Sequence, residues 1–273
     1  MESPGATLVR AFAGGALAVG MASAGLTAPA AAQALPQKPG ASWIEAGALA
    51  HHVSNDFGNW QGAYARAVLA GARNVWYLEA KAQEAFRDDG VYGSITNVHT
   101  WTSFFYTQVG IGGGTGEFVL PALREDLALN FKLGRARSLV LTVGETYINS
   151  QLVYEDKAFF ASLSWYASGT VLVEAGGRIN WSDPGNVRSQ RASGALTIGR
   201  VGKSQLTLRG NAGSEGYQLT GVAQTLRRFN SWEAGASWRA WLSRSWGVVI
   251  GDELYHNPFY TRAGATVGLF RAW

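Results

Sequence analysis

The chain of 273 residues contains no cysteine, which excludes disulfides and thiolate metal sites and leaves the compartment open. Charge is scarce: Asp, Glu, Lys and Arg make up 15% of the residues, against the ~25% usual for soluble domains. A mean hydropathy of −0.03 excludes a bundle of membrane-spanning helices. A basic stripe interleaved with stacking aromatics is also missing. The net charge of +4 is scattered along the chain, so nucleic acid is not expected as a partner. After Ser42 no amphipathic helix can be read. Abundant instead are 35 glycines and the aromatics, with 12 Phe, 11 Trp and 10 Tyr.

The N-terminus carries its own signal. Arg10 precedes "AFAGGALAVGMASAGLTAPAAAQA", an apolar stretch of small residues with cleavage sequences ending at Ala32 or Ala34. This predicts a secretory signal peptide over 1–34. A retained anchor is the weaker reading, because the stretch holds Pro29 and lacks a long Leu/Ile/Val core. Cleavage removes one acid and one base, so the charge of +4 is unchanged. "LPQKPGA" follows, and a short linker is predicted over 35–42.

From residue 43 to residue 273 the pattern has period two, cut by Gly, Asn, Asp and Ser. Fourteen strands are predicted, with twelve as the alternative: 43–53, 60–69, 74–86, 91–98, 101–110, 123–132, 138–148, 158–166, 171–179, 189–199, 204–212, 231–242, 246–254 and 262–273. Every other connection is short, as in "AGAR" (70–73), "HT" (99–100), "ASGT" (167–170) and "RVGK" (200–203). Those between are mostly longer, as in "SNDFGN", "GIGGGTGEFVLPA" and "NWSDPGNVRSQ". Short turns on one side and long loops on the other describe a closed antiparallel transmembrane barrel of the outer membrane, with both termini periplasmic.

The strand faces sort in the same way. Val171, Val173, Ala175 and Ile179 alternate with Glu174, Arg178 and Asn180; Leu206 and Leu208 alternate with Gln205, Thr207 and Arg209. One face suits lipid and the other suits water. The predicted lumen-lining set is Glu79, Lys81, Asp126, Lys132, Glu174, Arg178, Arg209, Glu233 and Arg239, four acids and five bases. A strongly selective pore would show one sign. Near balance favours ion-pair networks that fill the lumen and stiffen the wall, and a path for a neutral sugar polymer stays open beside that reading. Trp60, Trp76, Trp101, Trp232, Trp241 and Trp246 lie near strand ends and are expected in the interfacial girdles.

The last strand runs to the final residue, with Trp273, Leu269 and Val267 on one face. In a closed barrel this strand pairs with the first, since a bare edge in hydrocarbon leaves costly unsatisfied groups. The ending resembles the C-terminal aromatic signal by which outer-membrane barrels are recognised for assembly. Arg271 departs from that pattern, which usually has an apolar residue there.

"YLEA" (77–80), "LP" (120–121), "LNFKL" (129–133), "SWYASG" (164–169), "GSEGYQL" (213–219), "SWRAWLSRSWG" (237–247) and "NPFYTRAGATVGLF" (257–270) occur in an order that resembles the YaiO family of outer-membrane β-barrels. The resemblance implies an exported barrel of a Gram-negative envelope, with a pore or scaffold role linked to envelope or exopolysaccharide export. The partners implied are outer-membrane lipid, the barrel assembly machinery, and polysaccharide or its export machinery. No cofactor and no metal are expected.

A second functional class rests on "HHVSN" (51–55). His52, Ser54 and Asn55 are similar to an H-x-S-N motif of outer-membrane lipid A deacylases, where a histidine base activates a serine. The competing reading is a strand end entering a polar turn. A hydrolase needs a carboxylate beside His52, and Glu79 and Asp252 are the candidates. His99 is expected in a tight turn and His256 in a loop. "GIGGGTGE" (110–117) fits no phosphate-binding pattern and is read as a flexible loop. "SDPGN" (182–186) is turn chemistry. The carboxylates of "RDD" (87–89) and "DEL" (252–254) are placed near the outer rim.

Overall fold

The computed structural model describes residues 42–117, 119–151, 153–218 and 226–273. The predicted signal peptide and nearly all of the linker lie outside the described residues. The rest is β-structure. The strands are β1 (Trp43–Val53), β2 (Trp60–Ala70), β3 (Asn74–Ala85), β4 (Asp88–Thr100), β5 (Phe105–Gly114), β6 (Leu123–Leu133) and β7 (Leu139–Asn149). They continue as β8 (Glu155–Ser168), β9 (Val171–Asp183), β10 (Val187–Arg200), β11 (Ser204–Gln218), β12 (Leu226–Trp241), β13 (Trp246–His256) and β14 (Thr261–Ala272).

Each strand pairs antiparallel with the next, and β1 pairs with β14 from Trp43↔Ala272 to Val53↔Arg262. The sheet is a closed barrel of fourteen strands, so the twelve-strand alternative falls. Past the end of β14, Ser42 N donates to Trp273 O at 3.2 Å and Trp273 N donates to Ser42 O at 3.0 Å. The seam is thus hydrogen-bonded to the last residue, as an edge-free wall in lipid requires.

Alternation sorts the two faces. Leu206 and Leu208 on β11, Leu127 and Leu129 on β6, and Val267 and Leu269 on β14 point outward and are exposed. Their neighbours in sequence face the lumen. Trp76, Trp101, Trp232 and Trp246 are exposed on the outer wall or its rim, joined by Trp165 and Trp238. Trp60 and Trp241 depart from the girdle expectation. Trp60 is 3% exposed because it packs inside the mouth against Phe86, and Trp241 has lumenal parity and packs on Phe270.

Several connections also differ from expectation. β4 continues through His99 and Thr100, so the turn is 101–104, and His99 bonds Asn74 on β3 (2.9 Å). His256 is the last residue of β13 and not part of a loop. Residues 110–114 belong to β5 and not to a flexible loop. Gly110 and Gly112 leave room for lumenal neighbours there: an added Cβ would stand 2.6 Å from Thr96 Oγ1 and 2.2 Å from Tyr92 OH. The sorting of loops by length is weaker than predicted, because strands extend into the loops. The connections at 86–87 and 184–186 are among the shortest, although they lie at the end away from the termini.

Candidate functional site

All nine predicted lumen residues lie at lumenal positions of their strands: Glu79 and Lys81 on β3, Asp126 and Lys132 on β6, Glu174 and Arg178 on β9, Arg209 on β11, and Glu233 and Arg239 on β12. The structure adds Glu45, Arg66, Arg124, Asp156, Arg191, Glu215, Glu253 and Arg262 to this face. The added residues complete most of the ion pairs.

The wall formed by β10–β14 and β1–β3 is densely paired. Glu45 accepts from Tyr64 OH (3.0 Å) and pairs with Arg239, whose guanidinium is stacked between Trp43 (4.7 Å) and Phe270 (4.3 Å). Arg66 pairs with Glu79 at 3.0 Å. Glu253 holds two cations, Arg262 and Arg209, the latter at 3.3 Å. Arg191 pairs with Glu215, which also accepts from Tyr255 OH (3.1 Å). Buried ions need such partners, because removing one leaves a charge out of water with nothing to compensate it.

The wall formed by β4–β9, with Lys81 at its edge, is different. Arg124 makes a two-pronged contact to Asp126 (2.7 and 3.0 Å), and Thr146 donates to the same carboxylate (2.8 Å). Asp156 accepts from Asn180 (2.8 Å) and from Ser182. Glu174 accepts from Ser164 (3.1 Å). Lys81 lies over the Tyr92 ring (5.1 Å) and Lys132 over the Tyr106 ring (5.4 Å). Neither lysine, nor Arg178, has a carboxylate within salt-bridge distance among the described residues. The network leaves several of these side chains part-accessible. The Arg66 and Glu79 side chains keep 42% and 29% of their surface accessible, and Asp126 keeps 26%.

An apolar cap covers part of the mouth at the end away from the termini. Val53, Trp60, Ala85, Phe86, Val119, Leu120, Tyr255 and Tyr260 form one buried cluster. Phe86 and Arg87 make the β3–β4 turn with positive φ (56° and 67°). Such a turn usually takes Asn or Gly; here it is held by the buried Phe86 ring against Trp60 (4.8 Å) and Tyr260 (5.6 Å). Asp88 ties the 115–122 loop into the cap, accepting from Glu117 N (2.8 Å) and Val119 N (2.7 Å). Arg262, 0% exposed, lies beneath it, over Trp60 at 4.1 Å.

The hydrolase motif is split. His52 points outward and its Nδ1 bonds Asn59 Oδ1 (2.9 Å), while Ser54 Oγ accepts from Thr261 N (2.9 Å). No hydrogen bond joins His52 to Ser54 among the described residues. The two candidate carboxylates are engaged elsewhere: Glu79 with Arg66 in the lumen, and Asp252, on the outer wall, with Ala236 N (2.8 Å). Among the described residues no group of side chains is arranged to hold a metal. At the termini end, Trp273, Leu269 and Val267 share the outer face, exposed at 61%, 58% and 57%. Arg271 lies among them with its guanidinium 5.6 Å from the Trp246 ring centroid, the kind of amphipathic contact that an interface accommodates.

A closed antiparallel barrel with an apolar outer wall and a charged interior is an integral protein of the outer membrane. The chain belongs to the YaiO membrane β-barrel family, whose domain matches residues 42–218. No curated protein matches the sequence. Among solved structures it is similar in fold to the CymD monoaromatic hydrocarbon channel, with TM-score 0.60 and 8% identity over 95% of this chain and 94% of that one. Omp33 of Acinetobacter baumannii gives TM-score 0.53 and 8% identity over 86% of this chain and 100% of that one. A bacterial polysaccharide outer membrane secretin gives 0.51 and 6% over 87% and 99%. These identities speak for a shared barrel alone.

Proposed function

We propose that the barrel is a non-enzymatic pore for a hydrophilic solute of the saccharide class, with the termini end periplasmic and a role in envelope or exopolysaccharide export. The observation that carries this reading is the lumen. It is lined by charged and hydroxylated side chains, and several of them keep water-accessible surface beside the ion pairs. Charge of both signs along a wall suits a hydrated, hydrogen-bonding solute better than an apolar one. A saccharide path is in keeping with the polysaccharide secretin among the structural neighbours, which lends the barrel and not its chemistry. The non-enzymatic part of the proposal is supported by the engagement of Ser54 Oγ with the Thr261 amide and of His52 with Asn59. Trp273, Leu269 and Val267 form the proposed contact with the barrel assembly machinery.

The test is purified, folded protein in planar bilayers and in vesicles. Stepwise ion conductance and swelling of the vesicles in neutral oligosaccharides are expected. Folded protein that neither conducts nor admits sugars would remove the pore reading and leave a scaffold.

A further inference from the structure

The lumen is close to balanced in number of charges but not in their arrangement. On the β10–β14 and β1–β3 wall five arginines each have a carboxylate: Arg239 with Glu45, Arg66 with Glu79, Arg209 and Arg262 with Glu253, Arg191 with Glu215. Across from it, Arg178 on β9 has no hydrogen bond and no ion pair among the described residues, and its Nε is buried without an acceptor. Lys81 has no hydrogen bond and no ion pair among the described residues; it lies over the face of Tyr92, with Glu79 within electrostatic reach. Arg124 stands within electrostatic reach of both, and Asp126 and Asp156 within reach of Arg178. Of the carboxylates on this wall, Asp126 is engaged by Arg124 and Thr146, Asp156 by Asn180 and Ser182, and Glu174 accepts from Ser164 through Oε1 while its Oε2 is buried without a donor. A buried N–H without an acceptor is unfavourable, and an incoming anion relieves it.

We propose that Lys81, Arg124 and Arg178 form an anion subsite on the lumen wall that takes the carboxylate of an acidic sugar. The planar fork of an arginine matches the two oxygens of a carboxylate, and a lysine adds a compact point charge. Asp126 keeps Arg124 in place and rejects an anion seated too near it. The opposite wall differs in its carboxylates: Arg209 Nε and Arg262 Nε and Nη1 are also buried without an acceptor, but both guanidiniums are already paired with Glu253. The subsite rests on the pore reading for its purpose, since it selects among solutes that reach the lumen, but its binding chemistry can be measured separately.

The test uses the whole folded protein in detergent and in planar bilayers, with heat-modifiable migration as the check that each variant is folded. Calorimetric titration is expected to show binding of glucuronate and not of glucose. Arg178→Gln should weaken glucuronate about tenfold, which is ~1.4 kcal/mol at 25 °C. The paired double change Glu45→Gln with Arg239→Gln, on the opposite wall, should leave it unchanged. In a potassium chloride gradient the reversal potential should report anion preference and shift toward zero in Lys81→Gln with Arg178→Gln. Equal binding of glucose and glucuronate, or equal weakening in the paired control, overturns the subsite. Arg178-dependent glucuronate binding without ion current keeps the subsite and removes the pore reading. Ion current without anion preference or glucuronate binding removes the subsite and keeps the pore.

Discussion

Exchanging an arginine and a leucine across one step of β11 tests which side of the wall is lipid. Leu208 is 45% exposed on the outer face, and Leu208→Arg puts a guanidinium into hydrocarbon, a cost of ~2–4 kcal/mol near the bilayer midplane. Arg209 faces the lumen and pairs with Glu253 at 3.3 Å with a quarter of its side chain accessible. In Arg209→Leu, Glu253 keeps Arg262 as partner, and a part-accessible pair contributes about 1 kcal/mol or less. The buried Arg209 Nε, which has no acceptor, is removed as well. The difference between the variants is therefore ~1–4 kcal/mol, or roughly 5- to 900-fold in the folded-to-unfolded ratio. Urea titration in phospholipid vesicles, followed by tryptophan fluorescence and by heat-modifiable migration, measures it. Equal destabilisation, or a larger loss for Arg209→Leu, would refute the assignment of the faces.

Three further outcomes follow from individual contacts. Gly112→Ala should destabilise the barrel by ~1–3 kcal/mol through overpacking, because its Cβ would stand 2.2 Å from Tyr92 OH and 2.8 Å from Ser94 Cβ. Gly177→Ala, whose added Cβ would meet Arg191 O at an ordinary 3.7 Å, should be tolerated in the same titration; equal effects would contradict the packing described for β5. Asp88→Ala removes the acceptor of the Glu117 and Val119 amides, so protease should cut the 115–122 loop at least several-fold faster in intact vesicles, and an unchanged cutting rate would count against the tether. Ser54→Ala loses the bond from Thr261 N and should cost ~0.5–1.5 kcal/mol, without altering lipid A in mass spectra of the expressing host. Loss of an acyl chain with the wild type and its retention with Ser54→Ala would reinstate the hydrolase.

The sequence makes the barrel legible where the two faces contrast. β9 alternates Val173, Ala175 and Ile179 with Glu174 and Arg178, and its strand and faces can be read directly. β1 and β2 give less contrast: the lumen there holds Trp43, Leu49, Val53, Trp60 and Val68, while the outer face is largely alanine. Glu45 and Arg66 were hidden by that arrangement, and with them the pairs to Arg239 and Glu79. Trp60 looked like a girdle residue because it begins a strand. Its inward position follows from the cap, whose members come from β1–β3 and β13 and from the β3–β4, β5–β6 and β13–β14 connections. Period-two patterning carries no information about such distant packing. The glycine run at 110–114 misled for a related reason, since glycine there makes room for Tyr92 and Thr96 and does not end the strand.

The lumen as the path of the solute is the central claim, and the absence of natural cysteine makes one measurement direct. Ser162→Cys places the chain's single thiol on the lumenal face of β8, and Leu163→Cys places it one step along, on the outer face where Leu163 is 41% exposed. A water-soluble, bulky methanethiosulfonate is added to each protein while it conducts in a planar bilayer. The account predicts a stepwise fall in current for Ser162→Cys and none for Leu163→Cys. No current at all, current untouched in both, or an equal fall in both would contradict it.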